Sequence, residues 1–302
     1  MKIIKKAIYS VVDHYLLNGA SDYNSLQLRR SCRTKKQARD MFEKHNIPHA
    51  KGEIFFNPYT AYKFVKKHGF PVVLKPNVGG YSRGSYFPIM TWSEFWKAMF
   101  LVKLWFPTTV IEQYLLGHNY RVVVSKGSID LLNERTPAII IGNGKSSISQ
   151  LIEEENEIRT KMGILKEMNL IKHSGKVRRH LKKQGYTFSS ILEEGKQIYL
   201  FHRVSLAPGG VLENIDVDTM TQKNKKICIE ILDLFQANVF GIDVIMEEGM
   251  HIDYDKQKTI FLEVNSRASL EMHNYPRYGK KPNLEPLFKK LDKIEIKDRG
   301  IF

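Results

Sequence analysis

Residues 240–266 read FGIDVIMEEGMHIDYDKQKTIFLEVNS, two apolar strand-like runs joined by a polar turn. Glu263 and Asn265 are two residues apart, so their side chains leave the same face of an extended strand. Asp243 in the preceding run can pair across the hairpin onto that face. Two carboxylates and one amide oxygen suit Mg²⁺, which takes phosphates as further ligands. The segment therefore predicts a metal site of Asp243, Glu263 and Asn265, with an ion-paired or solvated strand face as the alternative.

A lysine followed by glycines marks a second candidate site upstream. FPVVLKP, residues 70–76, predicts a buried strand, and the loop NVGGYSRGS follows it with Gly79, Gly80 and Gly84. Lys75 would place a fixed positive charge beside a loop whose glycines let backbone amides approach phosphates. The spacing is neither that of a Walker P-loop nor that of a Rossmann fingerprint. We predict a phosphate-binding loop, and a plain hairpin turn is the alternative.

The segment IEQYLLGHNYR, residues 111–121, predicts a strand that leads through a turn into a second strand. Its backbone could hydrogen-bond an adenine edge while one leucine packs on the ring, and Asn119 could hold a ribose hydroxyl. Any edge strand could give the same pattern. The hypothesis of an adenine site rests on four consecutive residues: Glu112, Gln113, Tyr114 and Leu115.

Two arginines stand on neighbouring predicted strands. Arg121 ends the segment above, and Arg135 lies in the segment ERTPA that follows. Guanidinium groups suit a transferred phosphoryl group because they offer paired donors in a fixed plane. In a chain with 47 Lys and Arg, two arginines gain weight only from the motifs around them. We predict catalytic roles for Arg121 and Arg135 alongside Lys75.

The composition is that of a globular protein, with 302 residues of which 42% are hydrophobic. No run approaches the roughly 18 apolar residues of a membrane span, so we expect no transmembrane segment. The two cysteines, Cys32 and Cys228, are far apart and fit a reducing compartment, and we expect a cytoplasmic location. The net charge of +15 is compatible with nucleic acid, an anionic surface or polymer, or a small polyanion such as ATP.

The positive charge has one local peak, LIKHSGKVRRHLKKQ at residues 170–184, which predicts a solvated basic helix face. The sequence has neither zinc-finger spacing nor an RRM-like aromatic signature, so we expect no specific nucleic-acid binding. Residues 1–30 have the apolar spacing of an amphipathic helix, for which core packing is favoured over a membrane surface. Predicted helices and strands alternate along the chain, which indicates an α/β or α+β fold with a mixed sheet.

In their order along the chain, these segments resemble the ATP-grasp superfamily, in particular the ATP-grasp domain of cyanophycin synthetases and bifunctional glutathione synthetases. The resemblance covers about residues 34–276. Its most diagnostic stretch is ERTPAIIIGNGKSSISQLIEEEN, residues 134–156, which is similar to the family's R-x-P-A-x-V-x-G-D-G-x-x-T-I-x-x-L-I-x-x-N run. Other segments match in the family's order: TKKQARDMFEKHNIPHAKG, GFPVVLKPNVGG, VIEQYLLGHNYRVVV, LKKQGYTFSSILEEGKQIYL and finally GIDVI, FLEVN and MH.

The resemblance implies ATP and Mg²⁺ as cofactors and adds residues to the predicted site. Lys35 lies in a segment that resembles the family's entry helix and would join Lys75 as a second phosphate-binding lysine. Substrate contacts are implied for four residues late in the chain: Gly209, Gly210, Arg267 and His273.

Four departures from the family pattern indicate a changed substrate site. Asn119 stands where the family has an acidic ribose ligand. SLAPGG, residues 205–210, replaces N-L-S-T-G-G, and SRAS, residues 266–269, replaces A-x-P-G, which places Arg267 near the predicted acceptor pocket. The separate N-terminal substrate domain is reduced to about thirty residues. We therefore expect intact ATP chemistry and altered substrate recognition.

The fold that the resemblance implies is an α+β ATP-grasp fold, in which two α/β subdomains grip ATP beside a truncated N-terminal substrate domain. The predicted N-terminal helical segment is residues 1–33. A small subdomain with the glycine-rich lid follows at 34–109, and a large subdomain with the metal site at 110–302. Residues 143–196 are predicted to be an inserted region of the large subdomain.

The implied function is that of an ATP-dependent carboxylate–amine ligase, which forms an amide or peptide bond through an acyl phosphate and releases ADP. The expected substrate is an amino acid, a peptide or an acidic polymer. A homodimer or a partner protein would wall the substrate side where the N-terminal domain is short. A phosphotransferase and a non-catalytic nucleotide-binding protein on the same scaffold are the alternatives.

Overall fold

A computed structural model gives the fold and divides the chain into two units, each with its own core. The first unit comprises Met1–Asn133, Ile215–Glu271 and Pro282–Phe302, and the second comprises Glu134–Asn214 and Met272–Lys281. For Lys35 only the backbone is described. The structure describes residues 23–25, 28, 31–32, 35–77, 84–104, 106–163, 170–202, 204, 206, 209–266, 268 and 270–294.

Helices and strands alternate along the described chain. The strands are β1 Gly52–Phe55, β2 Val72–Pro76, β3 Tyr86–Ile89, β4 Thr109–Gln113, β5 His118–Ser125, β6 Ser128–Thr136, β7 Ile139–Ile141, β8 Gln197–Tyr199, β9 Val211–Ile215, β10 Val239–Met246 and β11 Thr259–Asn265. The α-helices are α1 Lys35–Lys44, α2 Pro58–His68, α3 Trp92–Lys103, α4 Ile148–Lys161, α5 Gly175–Lys183, α6 Gln222–Leu234 and α7 Glu285–Asp292. Two short 3₁₀ helices occupy Val217–Thr219 and Leu270–Asn274.

The first unit contains a small antiparallel sheet with the strand order β1-β4-β2-β3. Helices α2 and α3 cover it, and Phe64 of α2 and Phe95 of α3 share one apolar cluster with strand residues. Helix α2 has local start and stop signals, because the Asn57 side chain accepts a hydrogen bond from the second helical residue and Gly69 caps the end with φ 75°. The central position of β4 brings its residues between β1 and β2.

The larger sheet of the first unit has the strand order β11-β10-β5-β6. Successive side chains of β5 pack on opposite faces of this sheet. Val122 and Val124 join the apolar cluster that includes residues of α1 and α6, whereas Val123 joins the cluster that includes residues of α7. Successive side chains leave opposite faces of a strand, so Arg121 shares the face of Val123. A slip of one residue would exchange the faces, and burial on both sides therefore fixes the register of these strands.

The second unit is built from the end of β6, the strand β9 that is next to it in the sheet order, the β7-β8 pair and the helices α4 and α5. Ile152 of α4, Leu181 of α5 and Ile198 of β8 share its main apolar cluster. Helix α4 begins with a capping box in which Ser147 and Gln150 bond each other's backbone N–H. These local signals explain why a helix forms in this polar stretch.

Most predicted elements have the expected place. Residues 143–196, predicted to be an inserted region, contain the regular helices α4 and α5. The strand that follows, β8, has only three residues, as does its partner β7. The helix predicted at residues 1–30 lies mostly outside the described residues. In the part of the chain that the structure describes, no helix has the length and apolar character needed to cross a membrane.

Candidate active site

Three charged side chains form a row across the larger sheet of the first unit. Asp243 of β10 pairs directly with Glu263 of β11 on one side and with Arg121 of β5 on the other. The Arg121 guanidinium binds the Asp243 carboxylate through two donors, Nε to Oδ1 and Nη2 to Oδ2, the latter at 2.7 Å. Asn265 Nδ2 donates to Asp243 Oδ2 at 3.2 Å. The structure thus brings the predicted metal residues together, with Arg121 bound to one of them.

Gly241 makes room for this arrangement. It faces Val123 across the sheet, two residues before Asp243, and so lies on the Arg121 side of β10. A Cβ atom at this position would lie 2.8 Å from Arg121 Cδ and 3.1 Å from its Nη1. The missing side chain therefore lets the arginine lie flat across β10 toward Asp243.

The electrostatics of the row favour a permanently charged arginine. Burial by itself lowers the pKa of Arg121, but the charge and hydrogen bonds of Asp243, with a further contribution from Glu263, raise the pKa overall. Arg121 is buried, so its charge depends on these carboxylates for compensation. One guanidinium faces two carboxylates, which leaves the row of Arg121, Asp243 and Glu263 with one negative charge in excess.

The donor types in this row fit Mg²⁺. Asp243, Glu263 and Asn265 offer two carboxylates and an amide oxygen on one strand face, and such hard oxygen ligands suit this ion. Among the described residues no group of three His, Cys, Asp or Glu side chains could hold a metal, and here the third donor is an amide. Because Arg121 occupies both oxygens of Asp243, metal binding through this carboxylate would compete with the arginine.

A second charged cluster lies in the small sheet. Lys75 Nζ of β2 forms an ion pair with Glu112 Oε2 of β4, and Arg39 Nη1 of α1 donates to Glu112 Oε1 at 3.2 Å. The three side chains are 14%, 7% and 13% exposed for Lys75, Glu112 and Arg39. Two cations on one carboxylate give this cluster one positive charge in excess. Gly52 of β1 faces Glu112 directly, and a Cβ there would lie 2.7 Å from Arg39 Nη1.

The segment predicted to bind adenine lies at the end of β4. The N–H of Gln113 donates to Lys51 O at 2.9 Å and the N–H of Tyr114 donates to Pro71 O at 3.0 Å. These two donors are therefore used within the protein. Tyr114 also stacks on Phe87 with the ring centroids 5.6 Å apart, and Leu115 follows it as half-buried. An adenine edge would have to use the remaining backbone groups of this segment.

The other predicted nucleotide contacts are placed only in part. Asn119 Nδ2 donates to the carbonyl oxygen of Gly117, which lies just before β5, at 3.2 Å. Gly84 has φ 73°, and a Cβ there would lie 2.6 Å from the Phe106 ring. The side chain of Lys35 and the residues Gly79, Gly80 and Arg267 lie outside the described part of the structure.

Four further predicted site residues belong to the second unit: Arg135, Gly209, Gly210 and His273. Arg135 Nη2 lies 3.0 Å from Met272 Sδ. Gly209 has φ 95° and is packed close to Ile171. His273 is fully buried, and its carbonyl oxygen accepts a hydrogen bond from Asn214. The roles of these four residues in contacting the substrate or the transferred phosphoryl group stay predictions.

Sequence reasoning missed Arg39 and the side-chain role of Glu112. Arg39 lies four residues after Lys35 in α1, a spacing that places both on one face of a helix. This spacing was the signal that could have identified Arg39. Glu112 was predicted to act through its backbone, whereas its carboxylate lies between Lys75 and Arg39. No pattern in the sequence indicates that contact, because the pairing of β2 with β4 brings it about.

Comparison with known proteins gives relatives for most of the chain. A cyanophycin synthetase from Trichormus variabilis is 28% identical over 215 residues, which are 70% of this chain and 23% of the relative. The chain thus spans about a quarter of the length of the curated relatives that it matches first. No protein-family model matches the chain.

Solved structures give the fold. A bifunctional glutathione synthetase from Pasteurella multocida superposes with a TM-score of 0.65 at 21% identity, over 89% of this chain and 37% of that one. The ATP-grasp ligase PsnB, in complex with a phosphomimetic variant of its minimal precursor, Mg and ADP, superposes with a TM-score of 0.53 at 12% identity, over 95% of this chain and 67% of that one. These findings confirm the resemblance to the ATP-grasp ligases, and the chain has the α+β ATP-grasp fold.

Proposed function

We propose that this chain is an ATP- and Mg²⁺-dependent carboxylate–amine ligase that forms an amide or peptide bond through an acyl phosphate. One observation carries the proposal. The first unit holds two charge clusters of opposite character: Lys75 and Arg39 bind one carboxylate, Glu112, whereas Asp243 and Glu263 lie beside one arginine, Arg121. A Mg²⁺ complex of ATP needs both kinds of partner, because phosphates require cations and the metal requires oxygen anions.

The positive cluster is suited to the phosphates of ATP. Among the described residues, Lys75 and Arg39 share one carboxylate, Glu112, so a phosphate would add negative charge where cations outnumber carboxylates. Lys35 begins the same helix as Arg39 and lies one turn before it. We infer that Lys35 and Lys75 bind phosphates and that Glu112 holds Lys75 in place until they do.

The negative cluster is suited to Mg²⁺. Glu263 and Asn265 would be ligands, and Asp243 would join them as Arg121 exchanges partners. When bound, Mg²⁺ supplies positive charge that neutralises phosphate oxygens during phosphoryl transfer. Arg121 would then be available to an anionic group of the substrate, which is consistent with the catalytic role predicted for it.

The proposed reaction has two steps. A substrate carboxylate oxygen attacks the γ-phosphorus of ATP, the bond to the bridging oxygen breaks, and ADP leaves with an acyl phosphate formed. An amine then attacks the acyl carbon, loses a proton, and displaces inorganic phosphate. Arg135 would stabilise the transferred phosphoryl group through paired donors. The loop that contains Gly79, Gly80 and Gly84 would exclude water from the acyl phosphate.

The substrate class is proposed from the relatives and from charge. Cyanophycin synthetase and glutathione synthetase are named for products of amino-acid or peptide type, and the ligase PsnB was solved with a variant of its minimal precursor. The net charge of +15 favours an anionic substrate. We therefore propose that the substrate is an amino acid, a peptide or an acidic polymer, which supplies either the carboxylate that is activated or the amine that is joined to it. The same proposal includes the predicted subdomain boundaries, a cytoplasmic location, and a homodimer or a partner protein.

The test is ADP release from Mg-ATP by the full chain, with panels of amino acids, short acidic peptides and uronic-acid-containing glycans. We expect one class to stimulate ADP release together with inorganic phosphate. Glu263→Gln should lower that stimulated rate on the order of 100-fold, because a metal ligand is lost. Glu247→Gln is the matched control, since this carboxylate is exposed on the same hairpin and pairs with Lys258.

Different failures have different meanings. A stable phosphorylated substrate without amide formation would replace the ligase by a phosphotransferase. Binding of Mg-ATP without turnover under any panel would favour a non-catalytic nucleotide-binding protein. Absence of ATP binding would overturn the proposal itself.

A further inference from the structure

Helix α3 presents large apolar side chains on two faces. The inward face packs in the core of the small sheet. The outward face carries Trp92, Trp96, Phe100 and Leu104, spaced four residues apart and therefore on one side of the helix. Phe100 is 65% exposed and Trp96 is 49% exposed. A helix that covers a core needs only one apolar face, so the outward face points to a second apolar environment.

Two tyrosines of α2 extend the outward face. The Tyr59 and Tyr62 rings stack with centroids 6.0 Å apart, and Tyr62 lies 5.2 Å from Trp92 and 6.3 Å from Trp96. The rings therefore form one continuous surface over both helices. We refer to the six residues Tyr59, Tyr62, Trp92, Trp96, Phe100 and Leu104 as the aromatic face. A contiguous exposed surface of this kind marks an interaction site in a folded protein.

Lysines surround the aromatic face. Lys63, Lys66, Lys67 and Lys97 are exposed on the same two helices, and Lys63 Nζ lies 4.6 Å from the centre of the Tyr59 ring. The one acidic residue of the two helices is Glu94, and its Oε2 accepts a hydrogen bond from Met90 N at the start of α3. The complementary surface is thus apolar at its centre and negatively charged around it.

The charge pattern argues against a second copy of this chain as the partner. A symmetric dimer through the aromatic face would bring one lysine rim against another, and like charges would repel. Stacked nucleic-acid bases fit less well too, because the tyrosine rings already stack on each other and on Trp96. Neither helix contains an arginine, which is the side chain best suited to stack on bases and to donate paired hydrogen bonds to phosphates.

We propose that the aromatic face binds the surface of an anionic phospholipid bilayer, which goes beyond the ligase function. Trp and Tyr rings are suited to the boundary between headgroups and acyl chains because they join an apolar body to a polar group. Phe100 and Leu104 would enter the apolar layer, and the lysines would meet the lipid phosphates. The chain would lie on the bilayer through α2 and α3.

The test is flotation of the full chain with two kinds of vesicle, phosphatidylcholine alone and phosphatidylcholine mixed with phosphatidylglycerol. We expect flotation with the mixed vesicles only, with a loss at high salt because exposed charges are screened. Tryptophan emission should shift to shorter wavelength on binding, since two of the three tryptophans lie on the aromatic face.

Two variants, one of the aromatic face and one of the neighbouring lysines, separate the apolar contribution from the charged one. Phe100→Ser should abolish flotation, and Lys63→Gln with Lys97→Gln should weaken it about five-fold for each lysine removed. The controls lie in the second unit. Ile191→Ser removes an equally exposed apolar side chain, and Lys182→Gln with Lys183→Gln removes as much charge from the basic helix α5. Thermal unfolding of each variant shows that it is folded.

Each outcome decides the proposal. Retained flotation of the folded Phe100→Ser variant would overturn it. Equal losses from the control variants would show that binding is not specific to the aromatic face and its lysines, and would overturn the proposal as well. A dimer of the wild type that Phe100→Ser dissociates, without vesicle binding, would assign the aromatic face to a second copy instead. Failure of ADP release in the ligase test has no bearing on these results.

Discussion

The two charge clusters of the first unit have the same number of charged members and opposite excess charge. In the small sheet, Glu112 is shared by Lys75 and Arg39. In the larger sheet, Arg121 binds Asp243, and the charge of Glu263 adds to the stabilisation of the guanidinium. Burial of charge is costly unless it is paired, and the cluster in the small sheet has more cations than carboxylates, whereas the cluster in the larger sheet has more carboxylates than cations. We therefore expect phosphate groups to bind at the small sheet and the metal ion to bind at the larger sheet of the same unit.

Removal of the shared carboxylate should have the largest effect on stability. Glu112→Gln leaves Lys75 and Arg39 facing each other without an anion, at positions where both are largely buried. We expect the free energy of unfolding to fall by about 3–5 kcal/mol, measured by urea denaturation. Glu53→Gln, on the exposed position next to Gly52 in β1, is the control. A loss below about 1 kcal/mol would show that the cluster is not electrostatically coupled.

Removal of the shared arginine should have the next largest effect, and Mg²⁺ should reverse it. Arg121→Met removes the guanidinium that binds Asp243 beside Glu263 of the neighbouring strand, which we expect to cost about 2–3 kcal/mol of unfolding free energy. MgCl₂ should stabilise this variant more than the wild type, because the metal no longer competes with the arginine. Arg39→Met, in the other cluster, should show no such response. Raising the pH cannot neutralise Arg121 in place of the substitution, because the neighbouring carboxylates raise the pKa of the guanidinium.

Loss of the excess carboxylate should weaken metal binding more moderately. Glu263→Gln leaves Asp243 paired with Arg121 and thereby removes the excess negative charge of the row. We expect Mg²⁺ to bind about 10–100-fold more weakly, measured by calorimetric titration of the folded variant in the presence of ADP. Nucleotide binding without metal should be unchanged. Unchanged Mg²⁺ affinity would exclude Glu263 as a ligand.

The smallest effect is expected from the glycine beside the arginine. Gly241→Ala places a Cβ close to Arg121 Cδ, so the arginine must shift and its bonds to Asp243 must lengthen. We expect a loss of about 1 kcal/mol in unfolding free energy and, as in Arg121→Met, a stronger response to Mg²⁺. Gly175→Ala is the control, because no heavy atom lies within 4 Å of a Cβ there. Equal stability of wild type and Gly241→Ala would show that the arginine is not held closely.

Local sequence signals were enough to predict much of the fold. The strand predicted at residues 70–76 is β2, Val72–Pro76, and the two strand-like runs predicted within residues 240–266 are β10 and β11. Apolar runs, Gly and Pro mark these elements without reference to the rest of the chain. The alternation of β10 and β11 also predicted that Asp243 and Glu263 share a face, and the two residues are direct partners.

Contacts between distant strands could not be predicted in the same way. Arg121 and Asp243 are 122 residues apart in sequence, and their pairing depends on the register of β5 against β10, which burial of both sheet faces fixes. The partners of Glu112 depend likewise on how β4 lies between β1 and β2. Sequence patterns indicated which residue types were available, whereas the sheet decides which charges meet. The roles of these residues in catalysis stay predictions.

Both cysteines of the chain lie in one apolar cluster of the first unit, together with residues of α1 and α6. Burial raises the pKa of Cys228 to about 12 and also raises that of Cys32. A thiol reacts with alkylating reagents as the thiolate, so at neutral pH both are protected until this cluster opens. The rate of thiol labelling would therefore report how fast the unit that holds both charge clusters opens. The second unit, which contains no cysteine, would add nothing to that signal.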